Sequence, residues 1–147
     1  MLIRAIIAFI VLPGTVAFAI PVWIGHGAPL RHPQLAALLL IGGTTLLLWC
    51  VREFYVAGRG TLAPWLPPRH LVTSGPYRFC RNPMYLAVAT ILVGWCLLWG
   101  TRTLIYYALV SAGAFQVRVL LFEEPWAART FGEQWQAYRL RVPRWVV

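Results

Sequence analysis

The chain has 147 residues, of which 60% are hydrophobic and only 12% charged, about half the charged share of an ordinary soluble domain. The net charge of +9 comes from arginine alone: all 13 basic residues are Arg, and the only acids are Glu53, Glu123, Glu124 and Glu133. A water-soluble core of this length cannot hide so many Leu, Ile, Val and Trp side chains, so lipid must cover much of the surface. A nucleic-acid partner needs a soluble basic face or a recognised fold, and arginines lying between apolar runs do not fit one. Cys50, Cys80 and Cys96 form no CxxC pair, the three histidines are scattered and Asp is absent, which argues against a disulfide framework and against a metal site.

These features predict an all-α, integral membrane bundle of about four transmembrane helices, folded as a single domain over residues 1–147. The first span covers residues 5–24 and is interrupted by Pro13-Gly14 and Pro21, which would kink it. Its alternative, a cleaved signal peptide ending at Ala17-Phe18-Ala19, is outweighed by the spans that follow. The second covers residues 35–51, with Gly42-Gly43 allowing a close helix contact. Residues 57–68, carrying Gly58, Gly60, Pro64, Pro67 and Pro68, form an irregular loop. The third span (84–99) and fourth (103–122) are separated by Gly100-Thr101-Arg102 alone and make a tight antiparallel hairpin. Pro125 opens a new helix over residues 125–141. There Phe131, Trp135 and Tyr138 share one face, the pattern of an amphipathic helix lying in the membrane interface.

The loops set the orientation. Arg4, Arg52, Arg59, Arg69, Arg78, Arg81, Arg129, Arg139, Arg141 and Arg144 fall on one side of four spans, against Arg31 and Arg102 on the other. The positive-inside rule puts the long loop and the tail in the cytoplasm. Trp23, Trp49, Trp95 and Trp99 lie at or near span ends, as an aromatic belt requires.

Two clusters on that side carry chemistry. The first is the run from His70 to Tyr85. Ser74-Gly75-Pro76-Tyr77 reads as a turn, and Asn82-Pro83 as the N-cap and first residue of the third span. Free backbone N–H groups at that helix start, beside Arg78 and Arg81, suit an anionic group. A capped membrane helix with ordinary interfacial arginines explains the same residues. The second cluster is Arg118 with Glu123 and Glu124. A charge inside the apolar run of residues 117–122 marks a cavity, a partner or a function, unless it snorkels to the interface. Adjacent glutamates on a helix diverge by about 100°, so one faces a site while the other caps the tail helix or pairs with an arginine.

The run LVTSGPYRFCRNPMY, followed after a hairpin by FEEPWAARTFGEQWQAYRLRVPRW, resembles the isoprenylcysteine carboxyl methyltransferase family and its phospholipid-methyltransferase relatives. The resemblance covers residues 69–145, and the first two spans carry none of its diagnostic residues. It implies a membrane-embedded enzyme that uses S-adenosyl-L-methionine, bound on the cytoplasmic side, with a lipophilic small molecule or lipid as substrate. It assigns cofactor contacts to Leu71, Val72, Tyr77, Asn82, Pro83, Met84, Tyr85 and Glu123, and His70, Arg81 and Glu124 complete the candidate set. Arg118 and Glu123 are the candidate catalytic residues, Arg118 standing near the position of the family's substrate-binding arginine. The family commonly has His where Asn82 stands and often Gly where Ala87 stands, and Asn offers no imidazole for proton transfer.

A carboxylate acceptor would need only an arginine to hold it. An amine or thiol acceptor would need a base, for which Glu123, Glu124 and His70 are the candidates. The competing readings are a nicotinamide-dependent membrane reductase, a small multidrug transporter and a non-catalytic membrane protein of the same fold. A transporter of that kind relies on an acidic residue within a span, and residues 5–24 have none.

Overall fold

The computed structural model describes residues 10–59 and 68–146, and every regular element among them is helical. The first five residues of the expected first span, and residues 60–67 of the loop expected to be irregular, lie outside the described residues. The first helix, α1, begins as π-helical turns over Ile10–Ala19 and continues as an α-helix over Ile20–Gly25. The expected kink is thus a change of helix type, placed where Pro21 removes a backbone donor. Two carbonyls one turn before that proline are taken by other helices: Tyr107 Oη donates to Val16 O at 2.9 Å and Trp95 Nε1 to Ala17 O at 2.8 Å.

The second helix, α2, spans Pro33–Val56, 24 residues, or about 36 Å at 1.5 Å per residue. It runs past the expected end at residue 51, and Arg52, expected in the loop, is helical. The reason is Glu53, which is buried without being left bare. Ser74 Oγ donates to its Oε2 at 2.5 Å and Arg52 Nη1 to its Oε1 at 3.0 Å. Gly75, with φ of +57°, sits against this carboxylate, where a Cβ would meet Glu53 Cγ at 2.8 Å. The Ser74–Tyr77 turn is thereby pinned to α2.

The third helix, α3, is Pro83–Trp99, with Asn82 at its N-cap. It packs antiparallel on α2: Arg31 and His32 N–H donate to Leu98 O and Leu97 O. A Cβ on Gly43 would meet Ile91 Cγ1 at 2.7 Å and Ala87 O at 3.1 Å, whereas Gly42 faces open space. Of the two glycines, Gly43 makes the close contact. Gly43→Ala is therefore expected to cost about 1–3 kcal/mol through overpacking, and Gly42→Ala to be neutral or to gain up to about 1 kcal/mol of helix propensity. Melting temperatures of the two variants in detergent check this, and equal values would contradict the packing of α2 on α3.

Gly100 closes α3 in the left-handed conformation, its N–H donating to Cys96 O at 2.7 Å. Thr101 then caps the fourth helix, α4 (Arg102–Arg118), by accepting from Leu104 N. The α-helix was expected to continue to residue 122 and to stop before a new one. Instead α4 passes through a π-helical turn, Val119–Glu123, directly into the fifth helix, α5 (Glu124–Arg141). α5 is broken inside by Gly132, at φ 49° and ψ −118°, a conformation that glycine alone adopts readily.

Ala17, Leu47, Ala87, Val88, Ile91 and Leu92 form the core where α1, α2 and α3 meet. Among the described residues, α2 and the continuous stretch Arg102–Arg141 are long and apolar enough to cross a membrane. Pro13–Gly25 and α3 are apolar but shorter. Leu38, Ile41, Leu109, Val110 and Phe122 are 64–71% exposed. Apolar exposure on this scale marks a surface covered by lipid or protein.

Candidate functional site

A cavity of about 670 Å³ opens between the loop before α3, the first turns of α3, the end of α4 and α5, within the range of small-molecule sites. The π turn shapes its charged corner. On an α-helix, residues five apart point about 140° away from each other at 100° per residue. A turn bonded i to i+5 draws them together, so Arg118 and Glu123 meet. Arg118 Nε donates to Glu123 Oε1 at 2.8 Å and to Tyr85 Oη at 3.0 Å, while Tyr85 Oη itself donates to Glu123 Oε1. Tyr85 lies on α3 and its ring packs on Phe115 of α4, centroids 4.8 Å apart. One carboxylate therefore ties the two helices together at the cavity wall.

Glu124, one residue on, does something else. Its Oε1 accepts from Arg81 Nη1 at 2.7 Å and from Arg144 Nε at 2.9 Å, and its Oε2 from Arg144 Nη2 at 2.7 Å. The two glutamates diverge as helix geometry demands: Glu123 joins Tyr85 and Arg118, and Glu124 bridges two arginines. The Arg81 side chain is 10% exposed, and its Nε is buried with no hydrogen-bond partner among the described residues. Burial lowers the Arg81 pKa against the upward pull of Glu124, and Arg144 is raised chiefly by its hydrogen bonds to Glu124. Both remain guanidinium cations.

Of the residues singled out in the sequence, Leu71, Val72, Tyr77, Arg81, Asn82, Met84, Tyr85, Arg118, Glu123 and Glu124 line this one cavity. His70 and Pro83 do not: His70 is exposed in the loop, and Pro83 is buried in the first turn of α3. Arg78 also stands outside the lining, its guanidinium 5.7 Å from the Phe79 ring. Asn82 occupies the N-cap position but its side chain makes no cap. Its Nδ2 donates to Arg144 O at 3.2 Å. The Tyr77 hydroxyl is buried without a hydrogen-bond partner among the described residues, and burial holds its pKa well above the usual phenol range. The phenol is thus neutral.

Sequence reasoning missed part of the wall. Trp135 and Tyr138, the face expected to rest on the membrane, are 6% exposed and pack with Ala127 and Val142. Together with Phe131 they line the cavity. Phe131 stands before the break at Gly132 and Trp135 and Tyr138 after it, so the three meet by packing and not on one unbroken helical face. Leu121, Phe122 and Trp126 complete an apolar side. Among the described residues no group of three His, Cys, Asp or Glu side chains is placed to hold a metal ion.

Fold and site together define a helical protein with two membrane-length helices and a ligand-sized cavity, charged at one end and apolar at the other. The chain belongs to the phospholipid methyltransferase family, whose model matches residues 31–134. It is similar, at 31% identity over 114 residues, to the nickel-cobalt-cadmium resistance protein NccN of Alcaligenes xylosoxydans xylosoxydans. That alignment covers 74% of this chain and 49% of the relative, so the chain spans about half the length of the curated relative it matches. No solved structure matches the chain.

Proposed function

We propose that the chain is a multi-pass membrane methyltransferase, a single domain that uses S-adenosyl-L-methionine to methylate a lipophilic acceptor at the cytoplasmic face. The observation that carries this reading is the meeting of Glu123, Tyr85 and Arg118 on a cavity that Arg81 also lines. The cofactor has a carboxylate, an ammonium and a ribose diol. The Arg81 guanidinium and the N–H groups at the first turn of α3, which lack helical acceptors, match the carboxylate. Glu123 matches the ammonium or the diol, and the Tyr85 and Trp135 rings offer faces to the adenine or to a cation.

Bound there, the cofactor would supply an electrophilic methyl group on a sulfonium. The chain's own part is to align the acceptor with that group and to keep water out, a task for which Leu121, Phe122, Trp126 and Phe131 are suited. Leu121 and Phe122 are 64% and 66% exposed and yet line the cavity, which supports entry of the acceptor sideways from the bilayer. Arg118 is half exposed at the same corner and is the group to hold a carboxylate. For a lipid amine or thiol, Glu123 is the nearest base.

Four crossings are consistent with the antiparallel packing of α3 on α2 and the hairpin into α4: if α2 crosses, its neighbours do too. The arginine-rich loop and tail then face the cytoplasm, and α5 lies at that surface with its polar face outward.

In a thermal-shift measurement on detergent-purified protein, S-adenosylhomocysteine is expected to raise the melting temperature in proportion to its concentration over Kd, and NADPH to leave it unchanged. Stabilisation by NADPH alone would replace this reading with the reductase.

A further inference from the structure

Behind the charged end of the cavity runs a segment that the family match does not reach. That match stops at residue 134, and the chain beyond α5 folds back over the start of α3. Arg81 N–H donates to Pro143 O at 2.9 Å, Asn82 Nδ2 to Arg144 O at 3.2 Å, and Trp145 Nε1 to Gln116 Oε1 on α4 at 3.0 Å. The tail thus ties the start of α3 to the end of α4.

Glu124 is the hub of this arrangement. A single carboxylate serves two guanidinium groups, so the cluster keeps one net positive charge. Arg144 occupies both oxygens of Glu124 in a bidentate pair, while Arg81 uses only Nη1. The Arg81 guanidinium also lies over the Trp135 ring, 5.6 Å from its centroid. A long side chain fixed at one terminal nitrogen and one face has little freedom left, and this one lines the cavity.

We infer that Arg144 is a positioning residue for the cofactor's carboxylate. By holding Glu124 it fixes Arg81, and Arg81 then presents its guanidinium to the ligand. The inference rests on reading the cavity as an S-adenosylmethionine site. It gives the tail a role that an ordinary surface ion pair, which contributes little, does not have: the tail completes the anion-binding end of the site.

The test is calorimetric titration of the full chain with S-adenosylhomocysteine and with 5′-methylthioadenosine, which keeps the adenosine and sulfur but lacks the amino-acid end. Arg144→Ala is expected to weaken S-adenosylhomocysteine binding about tenfold and to leave methylthioadenosine binding unchanged. Arg144→Lys should recover only part of the loss, because an ammonium cannot reproduce the bidentate pair. The double variant Glu124→Arg/Arg144→Glu remakes the tail's ion pair but sets a cation against Arg81, so its affinity should stay low.

Wild-type affinity in Arg144→Ala or in the double variant would overturn the inference, the latter by showing that closing the tail is enough. An equal loss for both ligands in Arg144→Ala would overturn it by showing general collapse of the cavity. A wild-type chain that binds neither ligand would overturn the cofactor reading itself.

Discussion

Replacing Glu123 by Gln is expected to weaken S-adenosylhomocysteine binding by about thirty- to a hundredfold, some 2–3 kcal/mol for a hydrogen bond to a charged group, with little change in melting temperature. Gln keeps the shape and one carbonyl oxygen able to accept from Tyr85 Oη and Arg118 Nε, so α3 and α4 stay joined. What goes is the negative charge. Glu123 is 38% exposed, which is why the fold depends on it modestly while a ligand that brings a positive group to it depends on it strongly. Tyr85→Ala should act in the same direction by a different route, since it removes the ring against Phe115 and frees Glu123 to turn toward Arg118 alone. Calorimetry reads both variants. If each binds the ligand as the unaltered chain does, the cavity at the π turn is not the cofactor site.

The contrast between Glu123 and its surroundings shows what a sequence can and cannot disclose. Asn82-Pro83 announced a helix start because a proline without an N–H is harmless at that one position, and α3 begins there. Gly100-Thr101 likewise marked the hairpin, through a left-handed cap and a side-chain cap. These are local signals, legible because the residues that cause them are neighbours. The π turn left no such mark. Val117 to Glu124 contains neither Pro nor Gly, and a regular helical period would have put Arg118 and Glu123 on different faces. Glu53 misled in the opposite way. The second span was expected to end at residue 51, yet the helix runs on to Val56, with Glu53 accepting from Arg52 and from Ser74, twenty-one residues away. The Glu124–Arg144 and Gln116–Trp145 pairs join residues twenty and twenty-nine positions apart, with no periodicity to suggest either. Sequence patterns carried the elements and the motif-bearing wall, and tertiary pairing decided the corners.

Arg81 offers the second large effect. Arg81→Met keeps an unbranched apolar stem over Trp135 and leaves Glu124 its bidentate partner Arg144, so the tail should remain closed. The ligand's carboxylate, however, would lose the buried guanidinium beside the first turn of α3. Leaving a buried anion without its charged partner costs about 3 kcal/mol, or roughly a hundredfold in affinity, and the loss should appear in KM for S-adenosylmethionine more than in kcat. Because Arg144 is inferred to act through Arg81, adding Arg144→Ala to Arg81→Met should cost little more, although Arg144→Ala alone is expected to cost about tenfold. That non-additivity separates a chain of positioning from two independent contacts. If the two losses simply add, Arg144 reaches the ligand by some path other than Glu124 and Arg81. If Arg81→Met leaves KM unchanged, the first turn of α3 holds the carboxylate unaided, and Arg81 serves the tail and not the cofactor.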